Sequence, residues 1–511
     1  MINNEPDEIG LLSRSSLIHL PTCETKSTPE ELLADLIAEL FYPGQCGGRN
    51  KRNVFGPYQS GWRSAHSDDK ERFLLNVGRG RFKLTTGRKS PVDYFYAPIF
   101  PGLAREGAIK RKSGANIING LLIKGVWANG LLGSDISKRK EFSKTVVMAL
   151  VGDKKKGDDI FKQAAPTVTQ QEIDGAITNL SGKIEEAEAR PGEETAFAKQ
   201  AVIDFVALMK LEPDMPRPLW IQQVMCYLRI VICLWALRYT KSMSLLKKHI
   251  LQAYGGDVPS PDEIKSDYLE APEMLLQISS SYDESIRQLI EVYQRDRVEV
   301  FEFLQRLDES DLLAENLLTE CRLVVSGGNY PNEKTIDMHD FFTRIKDVAP
   351  EFSTKHAAEF SAHGTEFDIS VAVASWAGKW VGHQKPAQNS PKTAGTNLRY
   401  LLNCSRKSSG EDERASHLFE IKRSKKILWR AFPGALAIQL FVHFADCKRD
   451  TNSSRRISIG DLFEHLTVYQ LGTETENGSS AILDSLASLG LLVGSPDAGS
   501  SLPLQNPLGE S

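Results

Sequence analysis

The stretch LWIQQVMCYLRIVICLWALRY, residues 219–239, carries the main clue to the fold of this 511-residue chain. It is apolar enough to suit a membrane span, but two glutamines and two arginines, Arg229 and Arg238, interrupt it. Charged side chains are costly at the centre of a bilayer. The stretch therefore predicts a buried helix in the core of a large protein, continuing towards Gly255 and Gly256.

Helix start signals predict further helices on both sides of this stretch. Thr169 and Glu172 have the spacing of a capping box. Another helix is expected over residues 195–211. Beyond residue 260, apolar residues at helical spacing over 286–307 predict a long amphipathic helix whose other face is acidic. The chain is therefore expected to be mainly α.

Charge is distributed unevenly along the chain. Residues 46–156 contain 23 Lys and Arg against 8 Asp and Glu, whereas the whole protein has a net charge of −4. The rest of the chain is therefore acidic. A one-sided basic segment is typical of a surface that faces a polyanion, because Lys and Arg that neutralise phosphates release condensed counterions and supply most non-specific affinity for nucleic acid.

This basic segment also interleaves cations with aromatic residues, a combination that follows a phosphate backbone while stacking bases. Its candidate nucleic-acid-binding residues are Lys51, Arg52, Arg63, Arg79, Arg81, Lys83, Arg88, Lys89, Lys110, Arg111, Lys112, Lys138, Arg139 and Lys140. In the alternative interpretation, the aromatic residues form a core and the cations pair with the acidic helices or with a partner subunit. Frequent glycines and short runs such as residues 73–77 and 92–96 predict a mixed or irregular α+β domain.

The C-terminal region predicts a winged-helix-like module. Its expected elements, in order, are an apolar helix within 427–444, a short strand at 457–459, helices at 461–469 and 480–489, and two strands around a tip at 494–501. In a winged helix, the last helix lies in a groove of DNA. Here that helix lacks Lys and Arg and contains Asp484, so protein docking is favoured over direct DNA reading.

The length predicts several domains. We expect a basic N-terminal domain over residues 1–157, a helical domain over 158–256, an acidic helical domain over 257–405 and the winged-helix-like domain over 406–511. The 7 cysteines are scattered, which indicates a reducing compartment, and Cys226 and Cys233 should pack in the core. The first residues lack a secretory signal, so the predicted location is the cytoplasm.

Motifs of common catalytic sites are absent from the sequence, including the phosphate-binding loop, the complete Gly-x-Gly-x-x-Gly, the Gly-x-Ser-x-Gly elbow and His-Glu-x-x-His. One alternative is an enzyme. Glu420 and Lys422, with Asp412 upstream, match the acidic-x-Lys half of a metal-dependent nuclease site, in which carboxylates hold Mg²⁺. A charged amphipathic helix would produce the same pattern.

A second weak pattern is a possible metal site. His356, Glu359 and His363 would lie close to one helical face, and further ligands upstream would be Asp337, His339 and Asp340. Histidines on a helix are more often surface or core residues. No metal or cofactor is therefore predicted.

These patterns together predict a non-enzymatic adaptor, an accessory subunit of a nucleic-acid-processing complex. The architecture would suit a bacterial restriction or anti-phage assembly, an expectation that comes from such architectures in general and not from particular residues. The basic domain would bind the DNA or RNA backbone, and the helical and winged-helix surfaces would bind partner proteins. The alternatives are the metal-dependent nuclease and a purely structural subunit that only binds other proteins.

Overall fold

The computed structural model describes residues 40–41, 82–84, 93–95, 136–152, 168–188, 196–215, 217–267, 275–310, 312, 338–361, 369–374, 402, 405–406, 417–423, 427–448, 456–473, 476–494 and 496–508. Over these residues the protein is mainly α, as predicted. Every statement about structure that follows refers to this part of the chain.

The helices follow one another along most of the described chain. They are α1 (Ile136–Val151), α2 (Gln170–Glu188), α3 (Ala196–Lys210), α4 (Arg217–Tyr254), α5 (Pro261–Lys265), α6 (Ser285–Glu309), α7 (Met338–Ser361), α8 (Ala435–Cys447), α9 (Ile459–Val468) and α10 (Glu476–Ser488). The strands are short: β1 (Phe82–Leu84), β2 (Asp93–Phe95), β3 (Leu276–Gln277), β4 (Phe419–Arg423), β5 (Ile427–Ala431) and β6 (Leu471–Gly472).

Helix α4 is the centre of the fold. At 38 residues, it is about 57 Å long and packs against α3, α6, α7 and α8. The helix is long and apolar enough to cross a membrane, but 82% of its most apolar stretch is buried within the protein, as in a core helix. Cys226 and Cys233 are fully buried in it, so the predicted core packing of these cysteines is confirmed.

The predicted capping signals form as expected. The backbone N–H of Thr169 donates to the Glu172 carboxylate at 2.8 Å, and the Glu172 N–H donates to the Thr169 hydroxyl at 3.2 Å, the reciprocal pair of a capping box. At α5, the Ser260 hydroxyl accepts from the Glu263 N–H at 3.1 Å. The capping box at Thr169 thus starts a helix as the sequence predicts, and Ser260, followed by Pro261, starts α5 in the same way.

The region around Glu420 is a hairpin, which corrects two sequence-based expectations. β4 and β5 pair antiparallel, so Glu420 and Lys422 lie on a strand and not on the charged amphipathic helix considered as an alternative. The apolar segment predicted as one helix within 427–444 begins as β5, and helix α8 starts only at Ala435. Pro433 has no backbone N–H for a helix, and Gly434 is the N-cap, so this pair separates strand from helix.

The C-terminal segments join through backbone hydrogen bonds. The Leu504 N–H donates to Ile457 O at 2.7 Å, and the Ile459 N–H donates to Leu502 O at 3.0 Å. The Val493 N–H in turn donates to Pro503 O at 2.9 Å. Residues 502–504 therefore lie between the segment that precedes α9 and the one that follows α10. In addition, β6 pairs in parallel with β3, far away in sequence.

Buried apolar side chains form one contiguous cluster that includes residues of α1 to α4, α6 to α10 and the 502–504 segment. The cluster therefore crosses the predicted boundaries at residues 256 and 405. The boundaries themselves stay predictions, as do the domain identities attached to them.

We expect the aromatic contact between α4, α6 and α7 to hold these helices together. Phe303 is fully buried, with its ring centre 5.6 Å from that of Tyr254 and 6.2 Å from that of Phe352. Phe303→Ala should lower the free energy of unfolding by about 3–5 kcal/mol, because the change leaves a cavity. The shift of the urea unfolding midpoint measures the loss. The matched control is Val292→Ala, since Val292 is an exposed apolar residue of the same helix, and an equal shift would contradict this packing.

Candidate functional site

Most of the predicted nucleic-acid-binding residues lie outside the described part of the chain. Lys83 lies in β1, where its backbone pairs with Tyr94. Lys138, Arg139 and Lys140 lie in the first turns of α1. The remaining members of the set, from Lys51 to Lys112, fall outside the described residues.

The three cations of α1 have different surroundings. Lys138 and Lys140 are exposed, as is Lys144 one turn further. Arg139 is buried at 9% exposure on the side of the helix that packs on α2, and its Nη1 lies 3.9 Å from a carboxylate oxygen of Glu185. At this one position, the structure favours the alternative interpretation, in which a cation of the basic segment pairs with an acidic helix of the same chain.

The long amphipathic helix α6 uses part of its acidic face internally. Asp296 and Glu299 are buried and lie 3.0 Å and 2.5 Å from Lys247 Nζ of α4. The Ser244 hydroxyl donates to the Asp296 carboxylate at 2.6 Å. These two carboxylates therefore fasten α6 to α4, while other acidic residues of α6, such as Glu291, remain exposed.

Glu420, the proposed nuclease carboxylate, is engaged by neighbouring side chains. Its Oε2 accepts from Arg430 Nε at 2.7 Å and from the Tyr282 hydroxyl at 2.9 Å. Its Oε1 lies 3.4 Å from His417 Nε2. Because burial and the Glu420 charge both disfavour ionisation of the phenol, the pKa of Tyr282 is raised.

The surroundings of Glu420 therefore differ from those of an open metal site. The guanidinium of Arg430 also lies 4.8 Å from the Tyr282 ring centre and donates to Ser280 O at 3.1 Å. Lys422 is exposed, with Nζ 6.0 Å from the same ring. Asp412 lies outside the described residues. The contacts join the β4–β5 hairpin to the 278–283 segment, which is a structural role.

The predicted histidine cluster is not brought together by the described helix. His339 and His356 both lie in α7, 17 residues apart and so about 25 Å apart along its axis. His339 Nδ1 lies 3.0 Å from Pro259 O, and the His356 ring packs on Phe352 at 4.3 Å. Upstream ligands in α7 therefore cannot join His356. The side chains of Asp337, Glu359 and His363 lie outside the described residues.

A different group of possible metal ligands emerges from the structure. The side chains of His249, Glu263 and Asp267 offer one nitrogen and two oxygens, all within 4.8 Å of one another. Sequence reasoning missed this group because its histidine lies in the long apolar α4, where a histidine suggests core packing. The available signal was the four-residue spacing of Glu263 and Asp267 directly after a helix start.

A buried polar network joins α3 to α9. Asp204 is fully buried, and its carboxylate accepts from the Tyr469 hydroxyl at 2.5 Å and from Gln200 Nε2 at 2.7 Å. His465 Nε2 lies 3.1 Å from the same carboxylate. Burial and the nearby Asp204 charge raise the pKa of Tyr469 well above its usual range. All four side chains of this network are buried, so the network stabilises the fold.

Cys447, His443 and Asn506 resemble a nucleophile and its base only superficially. Cys447 Sγ lies 3.4 Å from His443 Nε2, and Asn506 Nδ2 lies 3.2 Å from His443 Nδ1. Cys447 is exposed at the end of α8, but partial burial of its thiol and the nearby Asp446 charge raise its pKa to about 11. Burial lowers the pKa of His443. The thiol therefore stays protonated at neutral pH, and since the thiolate is the nucleophile, this pair is unsuited to nucleophilic catalysis. Cys226 is equally inert, because burial raises its pKa to about 12.

No protein-family model, curated protein or solved structure matches the chain.

Replacing Glu420 tests whether its role is structural. Glu420→Ala leaves the partly buried Arg430 without its main carboxylate partner and should lower the free energy of unfolding by about 3 kcal/mol. Lys422→Ala, on the same strand but exposed, should change it by less than about 0.5 kcal/mol. Urea unfolding of both variants measures the difference. A nuclease site would instead show metal-dependent cutting of DNA or RNA that Glu420→Gln and Lys422→Ala both abolish.

The pH dependence of stability should report the burial of His443. Its pKa is lowered in the native state, so below about pH 6.5 the unfolded chain binds more protons at this residue than the folded chain. The contribution of His443 to stability is therefore complete above that pH and decreases as the pH falls. Urea midpoints from about pH 8 to about pH 5.5 should fall less steeply for His443→Gln than for the natural chain. Equal slopes would contradict the burial.

Proposed function

We propose that this chain is a non-enzymatic accessory subunit of a nucleic-acid-processing complex and that residues 46–156 bind the phosphate backbone of DNA or RNA. One observation carries the proposal: this segment holds 23 Lys and Arg against 8 Asp and Glu in a protein whose net charge is −4. The acidic remainder keeps the whole chain near neutrality, so the excess is local and directed to one part of the molecule.

Helix α1, which lies within residues 46–156, is consistent with binding of a phosphate backbone. Helix α1 starts with Lys138, Arg139 and Lys140, and its first turn contains no acidic residue. Cations at a helix N-terminus are unfavourable, because the backbone dipole already places positive charge there. The dipole of α1 therefore does not explain the exposed Lys138 and Lys140, whereas Arg139 packs on α2 beside Glu185. A phosphate near Lys138 and Lys140 would interact favourably with both.

The helices that follow residues 46–156, called the helical body, have a supporting role in the proposed function. Their buried ion pairs, such as Lys247 with Asp296, are directed inwards and hold α6 on α4. Exposed carboxylates on the outer side of α6, including Glu291 and Glu309, leave an acidic surface for partner proteins. Nucleic acid would be repelled from that surface, which separates the two kinds of binding within one chain.

For the C-terminal region we propose a winged-helix-like docking module. In support, residues 502–504 pair on one side with the segment before α9 and on the other with the segment after α10, as the wing of such a module requires. Helices α9 and α10 contain no Lys or Arg, and Asp484 is exposed. The charge therefore favours a protein partner over the phosphate backbone. The β3–β6 pairing is an addition to the usual outline.

Charge reversal tests the phosphate-binding part of the proposal. Changing Arg79, Arg81, Lys83, Arg88 and Lys89 to Glu should abolish binding of fluorescent single- and double-stranded DNA and RNA, as measured by anisotropy over a salt series. For the natural chain, the logarithm of the binding constant should fall steeply with the logarithm of salt, by about 0.9 per duplex phosphate contacted.

The control variant has the same change in net charge, but at cations outside the basic segment. It reverses five exposed cations that lie outside residues 46–156: Lys199, Lys248, Lys346, Lys422 and Arg456. This variant should bind nucleic acid with nearly unchanged affinity. If both variants lose binding equally, only net charge matters, and if neither natural chain nor variant binds at low salt, the basic segment serves a protein partner. Circular dichroism checks that each variant is folded.

A further inference from the structure

The second half of α4 and the short helix that follows bring three ligand-type side chains together. His249 is fully buried, and its Nε2 lies 3.0 Å from an Asp267 carboxylate oxygen and 3.9 Å from a Glu263 carboxylate oxygen. Both carboxylates are partly exposed, at 26% for Asp267 and 38% for Glu263. The cluster therefore has a fixed nitrogen on the inside and two oxygens on the side that faces solvent.

The local sequence explains this arrangement. Helix α4 ends at Gly255 and Gly256, and Gly256 adopts a positive φ of 96°, a conformation that glycine reaches without strain. The chain then reverses, and the Ser260 cap with Pro261 in the first turn starts α5. As a result, the chain returns towards the last turns of α4. Glu263 of α5 and Asp267, two residues after its end, both approach His249 of α4.

His249, the buried side chain of the three, is held in place by the surrounding core. The His249 ring packs edge-to-face on Phe342 of α7, with ring centres 5.6 Å apart. The loop before α5 is fixed as well, since His339 of the same helix contacts Pro259 O at 3.0 Å. Burial lowers the pKa of His249, while Asp267 and Glu263 oppose this change. Metals bind the neutral form of the imidazole.

The distances fit a first-row transition metal. With metal–ligand bonds of about 2.1 Å, neighbouring ligand atoms are about 3.0 Å apart in an octahedral site and about 3.4 Å apart in a tetrahedral one. The 3.0 Å separation of His249 and Asp267 agrees with these values. Glu263 lies 3.9 Å from His249, and its partly exposed side chain must move closer to join the same ion. One imidazole and two carboxylates suit Zn²⁺ or Mn²⁺, whereas Ca²⁺ and Mg²⁺ prefer oxygen ligands alone.

We propose that His249, Glu263 and Asp267 form a binding site for a divalent transition-metal cation, with water completing the coordination on the exposed side. Two carboxylates and a neutral imidazole balance the charge of such an ion. Bound metal would hold together the two sides of the chain reversal that follows α4. It would thereby stabilise the contact of α5 with α7. The site is independent of the proposed binding of nucleic acid.

The test uses the full-length chain, stripped of metal with EDTA and dialysed. ZnCl2, MnCl2 and MgCl2 are added separately, and the unfolding temperature and the heat of binding are measured. We expect Zn²⁺ or Mn²⁺ to raise the unfolding temperature and to bind with a stoichiometry of about one, and Mg²⁺ to have a weaker effect. Visible absorption of bound Co²⁺ should give the coordination geometry.

Variants identify the ligands without disturbing the core. Asp267→Asn and Glu263→Gln keep the shape of each side chain and should weaken binding about tenfold or more. Asp262→Asn, at an exposed carboxylate of the same helix, is the matched control and should bind like the natural chain. His249 is left unchanged because its replacement would also disturb packing.

Two results would overturn the proposal. The first is that none of the metals changes the unfolding temperature or gives a heat of binding at millimolar concentration. The second is that Asp262→Asn weakens binding as much as Asp267→Asn, which would mean that the acidic surface attracts cations without a defined site. In either case, the contact between His249 and Asp267 would be a hydrogen bond that closes the turn and nothing more.

Discussion

Burial of α4 is the constraint on which the rest of the structure depends. A helix that is apolar on nearly every side has no face to leave in water, so other elements must surround it. Helices α3, α6, α7 and α8 do so. Several of its polar groups have partners inside: Arg238 donates to the Gln470 side chain at 3.3 Å, and Ser405 donates to the backbone of Arg229 at 2.6 Å. Burial lowers the pKa of Arg238 to about 10.

A second constraint acts on the buried polar groups. A carboxylate removed from water must be paired or hydrogen-bonded, or its burial is strongly unfavourable. Asp204, Asp296 and Glu420 all meet this requirement with side chains from another element. Each of these contacts fixes one neighbour: α9 on α3, α6 on α4 and the 278–283 segment on the β4–β5 hairpin. Much of the ionic chemistry of the body is thus structural, which contrasts with the excess of cations in residues 46–156.

Local signals made much of the helical fold predictable. The capping box at Thr169 and the start at Ser260 depend on residues only three positions apart, and the period of α6 depends on one helix face. The hairpin at Glu420 was not predictable in this way. Glu420 accepts from the Tyr282 hydroxyl and the backbone of Trp429 pairs with that of Asp283, and both partners come from far away in sequence. Local sequence patterns do not predict pairing between segments that are far apart in the chain. The pairing of β3 with β6 could not be predicted for the same reason.

The candidate sites also depend on contacts between separate elements, which local sequence patterns do not predict. Clustered cations are visible in any sequence, but the burial of Arg139 against α2 appears only when both helices are in place. His249 looks like a core residue until the turn after Gly256 brings two carboxylates to it. For these reasons, the charge asymmetry could be read from the sequence, and the grouping of His249, Glu263 and Asp267 could not.

Hydrogen–deuterium exchange of the full-length chain, with and without a bound oligonucleotide, tests the central claim most directly. If the basic segment binds the phosphate backbone and the helical body supports it, the oligonucleotide will slow exchange within residues 46–156 and at the start of α1. Exchange in α9 and α10 will then be unchanged. Protection of α9 and α10 together with unchanged exchange in residues 46–156 would contradict the account, because the nucleic acid would then be read by the C-terminal module.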